Sequence, residues 1–384
     1  MTLASTLSSL RAESGRFSTQ MARGRNITEY HFENDIPPFV GAELERLYGS
    51  IYSSLPHLAS EGKLADASTY LALKDGELET IFLYRRRGSR IEVLNEVLRL
   101  EEEEINLFAT YMFTIYKSMH VISFRSVESN FKKSEYQFQR FNCLEDMVVE
   151  LPGDNTAYMN KLSAKTRGVL RRKLKVIARD HPSFQFEVFE RNDIKTEQIL
   201  EIIQFNHQRM AAGNKKSLVN DAATMRLVTL AKECGLLIVA SIEGRICGGV
   251  INCKAGDNYF GLMVSHDPTY NAHSLGLLCN YRALCESMER GAKEFHFLWG
   301  RYPYKFALAA VPRELDFISL YRSKIQFFLN SGYALSVWIR WIERRYALWK
   351  YEVKKKQGFL FKLRKNVLTA LKGATLDAST SVSE

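Results

Sequence analysis

Two tight-turn signals set the grammar of this chain. Asp75-Gly76 lies between the apolar runs Ser68–Lys74 and Glu77–Arg87, and Glu243-Gly244 lies between Leu236–Glu243 and Arg245–Cys253. A short loop ending in Gly accepts the positive φ values that let two twisted strands meet, so each pair reads as a β-hairpin. The same order of elements surrounds both: helix, hairpin, strand, helix, strand.

In the first half, residues 39–59 carry helical spacing after Pro37-Pro38. Glu101–Lys117 reads as a helix, with four glutamates at the end where the helix dipole favours negative charge. His120–Arg125 and Cys143–Leu151 read as strands, with 130–142 a polar and aromatic connection, and the unit closes near Pro152. In the second half, Ser163 caps a basic helix that runs to Arg179 and is stopped by Pro182. Phe184–Phe189 is strand-like, and Thr196–Met210 and Ala222–Cys234 are helical. After the hairpin come a strand at Asn258–His266, a periodic helix at Ser274–Arg290 stopped by Gly291, and strands at Glu294–Trp299 and Leu315–Tyr321. Helices are expected from Lys324 onward.

The expected fold is therefore α+β (mixed α/β): two tandem units, each a twisted mixed sheet flanked by helices, plus a basic helical C-terminal extension. The boundaries are a disordered leader at 1–30, a first unit at 31–152, a second at 153–335, and an extension and tail at 336–384. The leader lacks the apolar run of a secretory signal.

Apolar residues make up 46% and charged residues 25% of the 384, which excludes disordered, collagen-like and disulfide-scaffold classes. No apolar stretch approaches the length of a membrane span. Six cysteines without CxxC spacing fit reduced, buried thiols in a cytoplasmic protein. The net charge of +10 is local: residues 161–179 carry +8 and residues 336–372 carry +9, leaving the remainder at −7. Each patch can meet a phosphate, a nucleic acid or a lipid headgroup.

The chemistry concentrates between Leu236 and Ala309. The strand Asn258–His266 ends in His266-Asp267-Pro268, and a short loop leads into the helix at Ser274. Free backbone N–H groups at such a junction suit a pyrophosphate. On the basic helix, Arg167 and Arg171 present rigid forks suited to phosphate. The alternating Phe295, Phe297 and Trp299 read as core, with Trp299 beside the loop. No metal-ligand spacing, Walker loop or G-x-S-x-G is present.

The run from Asn271-Ala-His-Ser-Leu-Gly276 through Gly291–Gly300 to Tyr304-Lys305, with Leu162-Ser163 and Arg171-Arg172-Lys173 upstream, resembles the CelD-like branch of the GNAT acyltransferase superfamily, found beside bacterial cellulose and exopolysaccharide genes. The resemblance covers roughly 161–309. It implies an acyl-CoA-dependent N-acyltransferase, with acetyl-CoA as co-substrate and no metal, in bacterial polysaccharide or cell-envelope assembly. The CoA pyrophosphate would sit at Asn271, His273, Ser274, Leu275 and Gly276. His266 and Asp267 would take the amine proton, Tyr304 would protonate the leaving group, and Lys305 would stabilise negative charge. Arg167, Arg171, His207 and Trp299 would hold an amine-bearing, phosphorylated acceptor such as an amino sugar, and the first unit would be degenerate.

The family logic also relates such proteins to Fem-type transferases, which carry two GNAT-like domains and use aminoacyl-tRNA as donor. That gives the alternative enzyme, and a non-catalytic partner of a membrane-bound polysaccharide synthase is a third reading. The expected location is cytoplasmic, peripheral at the inner membrane. In the C-terminal segment, the tryptophans of 336–350 are expected to pack on the second unit, and 351–372 to contact an anionic membrane or a membrane synthase.

Overall fold

In the computed structural model, which describes residues 17–21 and 26–353, the two expected hairpins form the cores of one continuous sheet. The strands are β1 (Phe17–Met21), β2 (Ile27–Phe32), β3 (Ser68–Lys74), β4 (Glu77–Arg87), β5 (Arg90–Val93), β6 (Leu98–Leu100), β7 (Val121–Ser129), β8 (Gln137–Glu150), β9 (Gln185–Glu190), β10 (Gly235–Ile242), β11 (Arg245–Ala255), β12 (Asn258–His266), β13 (Glu294–His296) and β14 (Val311–Tyr321). At the two hairpin turns, Asp75 and Gly76 take φ of 52° and 84°, and Glu243 and Gly244 take 52° and 73°. Positive φ at both central residues matches the right-handed twist of the flanking strands.

Among the described residues the strand order is β1-β2-β3-β4-β5-β7-β14-β8-β13-β12-β11-β10-β9, with β6 added on β7. Two strands stitch the halves together. β14, the last strand, lies between β7 and β8 of the first half, antiparallel to both. β8 in turn pairs with β13 of the second half. The ladder therefore runs unbroken past residue 152. β8 starts at Gln137, inside the stretch expected as a connection, and β14 starts at Val311, four residues before the expected strand. Each extension pairs with the expected part of the other strand, Gln137–Asn142 with Asp316–Tyr321 and Val311–Glu314 with Glu145–Val148, and neither half offers that partner alone.

Helices cover both faces. In the second half, the helices Ala164–Asp180 and Leu275–Glu289 pack on one side through Leu170, Ile177, Leu278 and Leu284. Thr196–Ala212 and Asp221–Cys234 pack on the other through Ile199, Ile202, Ile203 and Ala231. The first half has Glu102–Ile115 on one face and Val40–Tyr48 with Leu55–Ser60 on the other. On Ala164–Asp180, Thr166, Leu170 and Ile177 are buried at helical spacing, which turns its cations outward. The six cysteines are free thiols. No described helix is long and apolar enough to cross a membrane. Part of the segment expected as a disordered leader is sheet: Phe17–Met21 is β1 and β2 begins at Ile27, paired with β3. The rest of that segment and most of the basic segment 351–372 lie outside the described residues, so the membrane expectation for 351–372 has no structural counterpart here.

Candidate active site

The site begins where a strand pair separates. β12 and β13 are parallel neighbours for three residues, from Asn258↔Glu294 to Phe260↔His296. Two local features then part them. The buried Lys305 donates to the carbonyls of Phe297, Leu298 and Trp299 at 2.8, 3.1 and 2.6 Å, gathering the chain after β13 onto one ammonium. Leu298 turns through φ 57° in that segment, which stays attached to β8 through Met147. On the other side, β12 carries a bulge against β11: Met263 faces Ile251 and Gly261 faces Asn252, leaving Leu262 as an extra residue. A bulge bends its strand and re-aims its side chains. The strand expected over Glu294–Trp299 therefore ends at His296, because the residues after it are recruited to Lys305.

The splay opens on a cavity of about 350 Å³. Its walls are the β12 bulge, Phe297–Trp299, the helix Asp221–Cys234 with Arg226, and Tyr52, His57 and Ser60 from the first half. The Tyr52 ring lies 5.4 Å from Trp299 and 4.7 Å from His57. Ser54 caps the helix Leu55–Ser60 that carries His57. His57 Nε2 lies 3.7 Å from Glu61 Oε2. Burial lowers the pKa of His57 against the raising pull of Glu61, which keeps the imidazole neutral and able to accept a proton at pH 7.

The loop Pro268–His273 and the helix Leu275–Glu289 form the far end of the splay. His266 Nε2 and Asn271 Oδ1 are 2.9 Å apart, and burial lowers the pKa of His266. The Asp267 carboxylate accepts from the backbone N–H of Thr269 at 2.8 Å, so it shapes the turn. Ser274 enters the helix at φ 56°. A Cβ on Gly276 would stand 3.2 Å from His266 Nδ1, so the helix start rests directly on that ring. Leu275 is fully buried, backbone included, so of the expected cradle residues it offers a ligand no exposed surface. The His273 ring packs 5.2 Å from His181 at the end of the basic helix, and Lys173 donates to the Ala272 carbonyl. Half-buried Tyr304 meets Phe297 edge-on at 5.9 Å, and burial pushes its hydroxyl up to about 12.

The structure thus brings His266, Asn271, His273, Ser274 and Gly276 together at one junction, with Tyr304 and Trp299 on the segment that faces it across the splay. Two expected site residues serve the fold instead. Lys305, expected to face a developing charge, is 2% exposed with its three protons on three carbonyls. Arg167, expected at an acceptor phosphate, closes the preceding helix by donating to the Leu162 carbonyl at 2.6 Å. Arg171 and His207 are exposed on their helices. Tyr52, His57 and Arg226 were not legible as site residues: two of them reach the cavity from about 200 residues upstream, and no local motif marks them. Among the described residues, no group of three or more His, Cys, Asp or Glu is placed to hold a metal.

Residues 164–306 match the family described as the acetyltransferase (GNAT) domain. The chain thus carries a GNAT acetyltransferase domain over these residues, and acyl transfer is the activity that domain supports. Among solved structures it resembles FemX, with a TM-score of 0.56 at 10% identity over 77% of this chain and 98% of that one. Weaker likenesses include L-PGS from Bacillus licheniformis, with a TM-score of 0.48 at 14% identity over 80% of this chain and 97% of that one. A tandem GNAT protein from the clavulanic acid biosynthesis pathway gives 0.38 at 10% identity, over 77% and 98% of the two chains. At these identities the FemX likeness is one of fold. No protein of curated function matches the sequence. The comparisons support the GNAT acyltransferase and do not single out its cellulose-associated branch.

Proposed function

We propose that this acyltransferase works in the Fem manner, moving an aminoacyl group from a tRNA to an amine-bearing acceptor held in the 350 Å³ cavity. The observation that carries the reading is the splay of β12 from the Phe297–Trp299 segment, with a donor loop at one end and a cavity closed by the first half at the other. The fold likeness to FemX, which spans nearly all of that chain, favours the same arrangement. The two-unit division at about 152 fits this reading, with β14 exchanged into the first unit's sheet and the first unit contributing His57 rather than a second donor site.

The donor assignment rests on charge. The helix Ala164–Asp180 flanks the donor loop and exposes Lys165, Arg171, Arg172, Lys175 and Arg179. Such a surface suits a long phosphate backbone. Neutral His57 takes a proton from the acceptor amine as its nitrogen attacks the aminoacyl carbonyl carbon. A new C–N bond forms, the ester C–O bond to the ribose breaks, and Tyr304 gives its proton to the departing oxygen. Arg226 offers a positive charge to a phosphorylated or lipid-carried acceptor.

Acyl-CoA as donor is the second reading, favoured by the strand–loop–helix junction that leads from His266 to the helix start at Gly276. In that case the leaving group is a thiolate and the acceptor an amino sugar or similar amine. Calorimetry and single-turnover transfer with charged tRNA and with acetyl-CoA separate the two. Transfer from charged tRNA is expected; binding of acetyl-CoA alone would overturn the Fem reading in favour of the second.

A further inference from the structure

The C-terminal helix wears its apolar residues on the wrong side for a soluble protein. Residues 331–353 are helical. The inner face is accounted for: Ala334 and Val337 are buried, the Trp341 ring lies 5.6 Å from Phe141, and Arg344 Nη2 pairs with Glu145 Oε2 at 2.8 Å. Of the tryptophans expected to pack inward over 336–350, only Trp341 does so.

Trp338 and Trp349 point out, together with Leu335, Ile339, Ile342 and Tyr346, each between 39% and 58% exposed. At 3.6 residues per turn these six fall within an arc of about 100°. That arc is a complete amphipathic stripe, and it lies opposite the packed face. Arg345 and Lys350 flank the stripe, one on each edge, and each holds its cation over a neighbouring ring, Trp341 at 5.7 Å and Tyr346 at 4.5 Å. The short helix Lys324–Leu329 adds Ile325, Phe328 and Leu329, all above 70% exposed.

We infer that this stripe docks the enzyme on an anionic lipid surface, with the Trp and Tyr rings at the headgroup level and the aliphatic chains below it. Aromatic, aliphatic and basic residues in this order are what an interfacial helix requires. Charge selects the occupant. Residues 354–372 carry seven further Lys and Arg and no Asp or Glu. That excess cannot favour a lid over the stripe made by the chain's own basic tail, or by a second copy, because like charges would be brought together. Anionic lipid neutralises both the stripe's edges and the segment that follows. The inference is independent of which donor the active site uses.

The test is co-sedimentation of the full chain with vesicles of equal parts phosphatidylglycerol and phosphatidylcholine, and with phosphatidylcholine alone. Binding is expected to the first at low salt and to be much weaker to the second. The triple variant Trp338→Glu, Ile342→Glu, Trp349→Glu should keep its circular dichroism and melting temperature and lose binding by about tenfold or more. Three results overturn the inference: no wild-type binding to anionic vesicles; equal binding by the triple variant; or, with the same variant, loss of a wild-type dimer in light scattering or of tRNA retention in a gel shift, which would give the stripe to a second copy or to RNA.

Discussion

The ring of Tyr52 lies 5.4 Å from that of Trp299, and the two come from opposite halves of the chain. Trp299 is held by Lys305 and Tyr52 by the turn before the helix Leu55–Ser60, so the cavity is shaped only where both halves are in register. The exchange of β14 into the first half's sheet fixes that register. A first half that carries no donor loop still has a reason to be there: it supplies one wall of the site and the imidazole in it.

His57→Gln should therefore reduce kcat/KM by about 10²- to 10⁴-fold, the range for loss of a general base, with the melting temperature nearly unchanged. Because burial lowers the pKa of His57, the wild-type rate should hold below pH 6.5 and fall only as the imidazole protonates. The variant should lack that acid limb. A wild-type profile that already falls through 6.5, or a variant that keeps the limb, removes His57 from the proton's path.

Lys305→Ala tests the splay itself. The substitution leaves three carbonyls without the donor that holds them, in a place where water enters poorly. Hydrogen bonds from a charged group are strong and costly to lose, so a destabilisation on the order of 3 kcal/mol is expected, together with loss of transfer. Thermal melts and kinetics on the same preparation decide the matter. Loss of kcat at an unchanged melting temperature would return Lys305 to a direct role in the reaction.

Much of the fold was legible because its signals are local. The strands Ser68–Lys74, Glu77–Arg87 and Asn258–His266 carry their own periodicity and turn residues, and the Ser163 cap accepts from Thr166 N–H as its place before the basic run requires. Illegible elements depend on distant partners. Gln137–Asn142 looks like a polar connection until Asp316–Tyr321 is laid beside it. The same holds in the site: His266 and Gly276 sit in one short strand–loop–helix unit, whereas His57 reaches the cavity from the other half. Tyr304-Lys305 shows the limit of a motif. Adjacent residues on a helix point apart, so Tyr304 meets the splay while Lys305 turns beneath it.

Away from the site, β2 holds two buried groups that pull stability in opposite directions. Glu29, hydrogen-bonded by the Tyr70 hydroxyl at 2.6 Å, is raised by burial to about 7. His31, 3.0 Å from the Tyr116 hydroxyl, is lowered by burial to about 4. For Glu29 the folded state binds more protons than the unfolded state between pH 4.5 and 7, so its contribution is lost as pH rises through that window. For His31 the folded state binds fewer between 4 and 6.5, so its contribution is lost as pH falls through that window. The two slopes offset each other in the wild type. Glu29→Gln should leave the His31 slope exposed, with stability rising from pH 4.5 to 6.5, and His31→Gln should give the reverse. Urea melts across that range check both signs; parallel curves for the two variants would refute the pairing.

The donor end has its own test in Gly276. A methyl group there meets His266 Nδ1 at 3.2 Å and Cε1 at 3.5 Å, tighter than an unstrained contact on the nearer atom. The ring can yield only by turning, and turning separates Nε2 from Asn271. Gly276→Ala should therefore disturb the loop through His266 rather than by filling a ligand's place. Gly276→Val should do so more strongly, since a branched side chain at a helix start has less freedom to avoid the ring. The expected result is a donor KM raised by roughly tenfold, which corresponds to about 1.4 kcal/mol, with the acceptor KM unchanged. Replacing the ring as well, in Gly276→Ala with His266→Ala, separates the two causes. If the loop acts through His266, the double variant should be no worse than His266→Ala alone. If the double variant loses further donor affinity, the space in front of Gly276 belongs to the donor itself, and the helix N-terminus is its phosphate cradle.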